Sequence, residues 1–246
     1  MFAQHFGLKL KALVPVRGEP MISHVIRTLR ASPLIGEIIV LCQEPDALRS
    51  AVDAAGGATL VESLSSISLS IKRQVDALGF SSPILVATAD HPLLTVDMIA
   101  EFLGKAEGDI AIAMVERKTM LAQFPDAKRT WLRFSDGAWS GANLFALMSF
   151  KSVFALDLWA EAEKDRKKAW RLFMHFGVRL ASRALTRTIG LRQALKIAGE
   201  RLGLVATLVP MSDPVAAIDV DKVSDHILAE KILIDRDTVT NSNLAA

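Results

Sequence analysis

Short apolar runs rich in β-branched residues alternate with longer runs of helical period through the first half of this chain, and that alternation restricts its fold more than any other feature. A short apolar run bounded by turn residues suits a buried strand, and a longer amphipathic run suits a helix lying over it. Repetition of the pair builds βα units around a mainly parallel sheet flanked by helices, an α/β fold. Residues 37–42, 58–62, 83–89 and 109–115 read as strands, and 21–30, 45–54, 67–78 and 96–105 as helices. The punctuation agrees. Pro20 and Pro45 stand at helix starts, Gly56-Gly57 follows a helix end, and the Thr95 hydroxyl is placed to accept from a free N–H of the next helical turn. Residues 12–16 read as an extended segment before the turn Arg17-Gly18-Glu19-Pro20.

The second half is less regular. Segments 131–134 and 143–147 read as strands around the polar turn Ser135-Asp136-Gly137, an antiparallel insertion. Residues 149–202 form a basic helical insertion, 204–209 a strand, the piece ending at Val220 an extended segment, and 223–233 a helix. With 246 residues, 51% of them apolar, the chain has material for one sizeable core, and no linker divides it. One domain over 1–235 followed by a flexible tail over 236–246 is expected.

A formal net charge of +2 calls for no nucleic-acid partner. The single cysteine, Cys42, has no intrachain disulfide partner and lies in an apolar run, which fits a reducing compartment. No apolar run reaches the roughly 18 residues of a spanning helix, and no leader pattern opens the chain, so a cytoplasmic protein is expected.

In open α/β sheets ligands bind beyond the carboxyl ends of the strands. Asp90 stands there, after the run Ile84-Leu85-Val86-Ala87-Thr88-Ala89 and before His91-Pro92. A carboxylate at that place is either a ligand for a hard cation or the cap of a turn. Alternation along Ile218-Asp219-Val220-Asp221 points Asp219 and Asp221 to one side, where a metal, Lys222 or solvent would balance them. Lys11, directly before an apolar run, is either a point charge for a phosphate or half of a solvated pair with Lys9. The serine-rich stretch 63–70 offers hydroxyls near a helix start, where capping and nucleotide binding use the same groups. The five histidines show no paired ligand spacing, which argues against zinc.

Four segments taken in order resemble the nucleotidyltransferase family that includes molybdenum-cofactor guanylyltransferase and the sugar-phosphate and polyol-phosphate nucleotidyltransferases. They are Lys11-Ala12-Leu13-Val14-Pro15-Val16-Arg17-Gly18-Glu19-Pro20-Met21, Thr88-Ala89-Asp90-His91-Pro92-Leu93-Leu94, Gly141-Ala142-Asn143-Leu144-Phe145, and Ile218-Asp219-Val220-Asp221 followed by Asp225. The resemblance implies a Rossmann-like nucleotidyltransferase fold. It puts Lys11 on nucleotide phosphates as the catalytic lysine, Ser70 near the base, Asp90 and Asp221 on Mg2+ with Asp219 as the alternative to Asp221, and Asn143 near the acceptor. The implied reaction moves a nucleoside monophosphate from a nucleoside triphosphate to a small phosphorylated acceptor and releases pyrophosphate.

The family's usual first strand and glycine-rich loop are not found before Lys11, where Met1-Phe2-Ala3-Gln4-His5-Phe6-Gly7 carries one glycine and no arginine. A start further upstream is the expected explanation; were the chain as given complete, an exposed sheet edge would be expected where that strand would pair. The same departure motivates the alternative of a non-catalytic nucleotide-binding or regulatory module. A nucleotide-sugar glycosyltransferase ranks lower, because Thr88 stands where a second acid would be needed. The basic helices over 164–192 read either as an amphipathic cover for the core or as a site for an anionic acceptor or weak membrane-surface contact.

Overall fold

Capping and chain punctuation decide where most elements begin. In the computed structural model, which describes residues 2–164 and 176–244, the Thr95 hydroxyl accepts from the Met98 N–H at 3.2 Å and opens helix α4 (Val96–Lys105). The Ser66 hydroxyl does the same for Leu69 at 3.3 Å and opens α3 (Ile67–Leu78), which ends on the left-handed Gly79. Pro45 opens α2 (Pro45–Ala54), where its missing N–H costs nothing. These elements have the bounds that the sequence indicates.

The chain begins with a 3-10 turn, Phe2–Phe6, followed by a second, Lys11–Leu13. The strand expected over 12–16 is reduced to β1 (Pro15–Val16), which pairs only with β2 (Glu19–Pro20) across Arg17 and Gly18, both at positive φ. Pro15 brings no N–H to a ladder, and among the described residues nothing but β2 pairs with this segment. Helix α1 (Met21–Ala31) follows, then β3 (Ile39–Cys42), α2 and β4 (Thr59–Glu62), with β3 and β4 parallel.

The larger sheet runs β5 (Ile84–Ala87), β8 (Gly137–Leu147), β6 (Ile110–Glu116), β9 (Ala206–Pro210), with β7 (Leu132–Phe134) added to β8. Strand β8 is antiparallel to both β5 and β6, while β6 and β9 are parallel. The sheet is therefore mixed. The antiparallel insertion expected around Ser135-Asp136-Gly137 contributes a strand to the middle of the sheet, and that strand starts at Gly137 because the turn is a tight hairpin. Its inward residues Ala142, Leu144 and Ala146 are fully buried against Met98, Ile99 and Phe102 of α4 and Ala111, Ala113 and Val115 of β6. These small and medium side chains let helix and sheet approach closely, and the burial drives folding.

Among the described residues β3 pairs only with β4, and β5 only with β8, so each has an open edge. All eight of their residues are half-buried although both runs are apolar, and Leu41, Ile84 and Val86 pack on one cluster with Ile71 and Val75 of α3.

The remaining helices are α5 (Arg117–Gln123), α6 (Ser152–Lys164), α7 (Val178–Leu185), α8 (Leu191–Arg201) and α9 (Val223–Leu244). Leu191 of α8 packs with Met114, Trp139 and Leu208, as a cover for the sheet would. Of the basic side chains in the insertion, Arg166, Lys167, Lys168 and Arg171 lie outside the described residues. Helix α9 runs past Leu233 to Leu244 and so includes most of the segment read as a tail. No helix among the described residues is long and apolar enough to cross a membrane.

Glu101 ties α4 to the chain leaving β9. Its carboxylate accepts from the Ser212 N–H at 3.0 Å, the Ser212 hydroxyl at 2.9 Å and the Lys105 ammonium at 2.6 Å. Partial burial alone would raise its pKa, but these donors hold it below the ordinary 4.5. Glu101→Ala is expected to lower the free energy of urea unfolding by about 2 kcal/mol at pH 7. Because the folded-state value is the lower one, the contribution is complete above the ordinary value and is lost as pH falls through the depressed one. The gap between wild type and variant should therefore narrow in urea titrations run progressively below pH 4.5.

Candidate active site

Asp90 leaves the end of β5 with its orientation set on several sides. The Thr88 hydroxyl donates to Asp90 Oδ1 at 2.5 Å. The next residues, His91, Leu93 and Leu94, are buried and anchor the turn. His91 is 1% exposed, and burial pushes its pKa down to about 4, so the imidazole beneath the site is neutral at physiological pH. The Val215 backbone approaches the ring, yet neither ring nitrogen reaches hydrogen-bonding geometry.

The second contribution comes from the chain after β9. Asp213 caps the 3-10 turn Pro214–Ala217 by accepting from the Val215 N–H at 2.8 Å, and all four residues of that turn are buried. Beyond it the burial alternates, with Ile218 and Val220 fully buried, Asp219 partly buried and Asp221 exposed. The Val220 N–H donates to the Asp90 carbonyl at 2.9 Å. That bond joins two segments far apart in sequence and sets three carboxylates together: ligand oxygens of Asp90, Asp219 and Asp221 lie within 4.8 Å of one another.

Two cations balance them. The Lys11 ammonium lies 2.6 Å from Asp90 Oδ2 and also hydrogen-bonds Asp221. Burial would lower the lysine pKa, but these two acceptors raise it above its ordinary value, so it stays charged. Arg129, in the loop between α5 and β7, hydrogen-bonds Asp219, and both side chains are largely buried. Burial works against the ionised Asp219, yet the guanidinium outweighs it and holds the carboxyl below its ordinary range. An all-oxygen set of this kind fits a hard divalent cation, and the lysine ammonium marks a place where positive charge is already accommodated.

The sequence-derived residues divide into those that converge and those that lie beside the cluster. Lys11, Asp90, Asp219 and Asp221 converge. Ser70 lines a neighbouring groove of about 310 Å³ that also takes in Lys11, Gln43, Ser63, Ser65 and Ala89. Its hydroxyl accepts from the Leu64 N–H at 2.8 Å and donates to the Ser66 carbonyl at 2.7 Å, so it braces the loop forming the groove wall. Asn143 sits at a bulge in β8 with φ of 52°, a conformation that Asn tolerates better than most side chains. The adjacent Leu144 pairs with Ala87, so Asn143 lies at the carboxyl end of β5, on the side of Asp90. Sequence reasoning missed Arg129, Thr88 and His91. Arg129 stands among Asp126, Lys128 and Thr130 in an ordinary charged loop, and only its partner 90 positions away distinguishes it.

Residues 3–198 match the model of the MobA-like NTP transferase domain. A 118-residue stretch is 33% identical to the 3-deoxy-manno-octulosonate cytidylyltransferase of Geotalea daltonii, covering 47% of this chain and 46% of that protein. The match thus spans about half the length of this curated relative. A hypothetical transferase from Thermus thermophilus superposes with a TM-score of 0.79 at 28% identity, over 92% of this chain and 94% of the other. Two further structures share the fold at a TM-score of 0.54: a 4-diphosphocytidyl-2C-methyl-D-erythritol synthase from Anaerococcus prevotii, at 13% identity over 89% and 88% of the two chains, and a nucleotidyl transferase from Methanothermobacter, at 16% over 95% and 90%. The chain belongs to the MobA-like NTP transferase domain family.

Ser70→Ala strips the Leu64 N–H of its acceptor inside the loop, and losing such a part-buried hydrogen bond costs about 0.5–1.5 kcal/mol. Chemical denaturation should show a loss in that range. Ser65→Ala, on the same loop, should leave stability nearly unchanged; equal losses for both would contradict the bracing role.

Proposed function

We propose that this member of the MobA-like NTP transferase domain family moves a nucleoside monophosphate from a nucleoside triphosphate to a small phosphorylated acceptor, with Mg2+ held by Asp90 and Asp221. The observation that carries this reading is the Lys11 ammonium lying between those two carboxylates at the mouth of the Ser70 groove. A cation position and a phosphate-seeking lysine therefore share one place. Mg2+ bound there would neutralise charge on the phosphate oxygens.

The remaining work falls to the chain. Lys11 exchanges its carboxylate partners for phosphate oxygens, as a point charge on a flexible stem can. The loop 63–66 offers backbone N–H groups to the nucleotide, held in shape by Ser70. Thr88 keeps Asp90 in one rotamer. An acceptor phosphate oxygen, on the side of Asn143, attacks the α-phosphorus in line. The bond from that phosphorus to the bridging oxygen breaks, and pyrophosphate leaves with the electron pair. Such chemistry asks for positioning and charge more than for covalent participation. The lone thiol of Cys42 and a triphosphate substrate suit a cytoplasmic setting.

The N-terminal segment favours a second reading. Phe2–Phe6 folds as a 3-10 turn whose Phe6 ring lies 4.9 Å from that of His226, and so does not cradle phosphates. A nucleotide-binding module without turnover would have this arrangement. Pyrophosphate release measured over a panel of triphosphates and acceptor phosphates separates the two. The enzyme reading expects Mg2+-dependent release with at least one pair, reduced about 100-fold or more in Asp90→Asn and in Lys11→Met. Nucleotide binding without release from any pair would favour the module.

A further inference from the structure

We propose that the open edges of β3 and β5 form a slot that takes one extended apolar strand from another polypeptide, parallel to both, with its carboxyl end emerging beside Lys11. Neither the metal nor the reaction proposed above is needed for it.

Strands β3 and β5 are neighbours without being partners. Leu41 of β3 and Ile84 and Val86 of β5 pack on one cluster with Ile71 and Val75 of α3. On the opposite face, Val40 and Cys42 of β3 and Ala89, just past β5, pack on another with Ile22 of α1 and Leu48 of α2. Two strands that share both covering layers belong to one sheet, yet among the described residues each pairs on one side only, β3 with β4 and β5 with β8. A strand between them would find a ladder neighbour about 4.8 Å away on either side. The backbone is set for it. The Ile38 and Cys42 carbonyls accept from the N–H groups of Thr59 and Ser63 at 2.9 and 2.7 Å, on the β4 side. Ile39 and Leu41 therefore turn their N–H and C=O groups the other way, into the slot. Cys42 and Ala89, each at the carboxyl end of its strand, line one groove with Lys11, so β3 and β5 run in the same direction and an inserted strand extends a parallel sheet. A parallel strand covered on both faces is apolar throughout and does not alternate. That sets the occupant's chemistry: an unbroken run of about five apolar, preferably β-branched residues. An acyl chain would suit the walls but leave the edge N–H and C=O groups unpaired, whereas an added strand satisfies them and draws its affinity from those bonds.

The test adds to the full chain a fluorescent synthetic peptide of about five alternating valines and isoleucines, with lysines at its amino end for solubility. Anisotropy should show saturable binding, and hydrogen exchange should slow about tenfold or more at the Ile39 and Leu41 amides. The same peptide N-methylated on alternate residues keeps its apolar side chains but loses ladder donors, and should bind about tenfold or more weakly. Equal binding of the two peptides would mean apolar adsorption and overturns the proposal. Leu41→Pro removes an N–H that faces the open edge, a place where strands tolerate proline, and should abolish binding with little change in melting temperature. If that variant does not fold, the N-methyl comparison decides. A disulfide-activated cysteine at the carboxyl end of the peptide should exchange onto the Cys42 thiol faster than one at its amino end; the reverse order overturns the parallel insertion. Absence of both binding and slowed exchange overturns the proposal. So does sedimentation of the chain alone as a dimer that Leu41→Pro converts to a monomer, which would give the slot to a second copy.

Discussion

The bond from the Val220 N–H to the Asp90 carbonyl is the constraint on which the site depends. It fastens the end of β5 to a segment more than a hundred residues later, and it does so between two carboxylate-bearing stretches that would otherwise repel. At about 4 Å and an effective dielectric constant of about 20, two like charges cost roughly 4 kcal/mol. The apolar side of the same segments offsets this: Leu93, Leu94, Ile218 and Val220 are all buried in the main core. Lys11, paired with Asp90 and Asp221, and Arg129, paired with Asp219, supply the rest of the balance. The acids converge because the hydrophobic residues interleaved with them have nowhere else to go.

Strand β8 places the acceptor side against that cluster. Because it runs between β5 and β6 and opposite to both, its residues at the bulge lie beside the carboxyl end of β5 and those past it run toward the amino end. The bulge is where the β6 ladder slips between Ile112 and Met114, and the positive φ of Asn143 falls within it. A bulge at a sheet end re-aims a side chain without disturbing the core below. Here Ala142 and Leu144 remain fully buried on either side of the half-buried Asn143.

What could be read from sequence follows the range of the interactions involved. Helices α3 and α4 were legible to the residue because a hydroxyl caps each from the adjacent position, and a local signal suffices. Asp90, Lys11 and the alternating Asp219 and Asp221 were legible as a set because the order of motifs along the chain stands in for their meeting in space. The 3-10 turn at Lys11–Leu13 was not, since Ala12-Leu13-Val14 is as apolar as a strand and only a strand partner would make it one. The eleven-residue length of β8 was hidden by Ser140 and Gly141, polar or small residues that a central strand rarely carries together. Helix α9 was underestimated because its polar second half lacks apolar period, while Arg17 pairs with Asp237 there. Arg129 had no signal, because a buried ion pair between distant loops leaves no periodicity, cap or spacing in sequence.

The cluster's charge bears on how its two proposed ligands relate. Three carboxylates against one ammonium and one guanidinium leave a single net negative charge. The neutral imidazole of His91 below adds nothing to this. A divalent cation entering with Lys11 still in place would meet a like charge 2.6 Å from one of its own ligands. A triphosphate entering without the cation would face carboxylates as well as the lysine. Each ligand alone is opposed by a group that the other one relieves, so on the proposed reading cation and triphosphate bind cooperatively. Lys11 is the hinge of that coupling, being the one charged group whose partner differs between the empty and the loaded site.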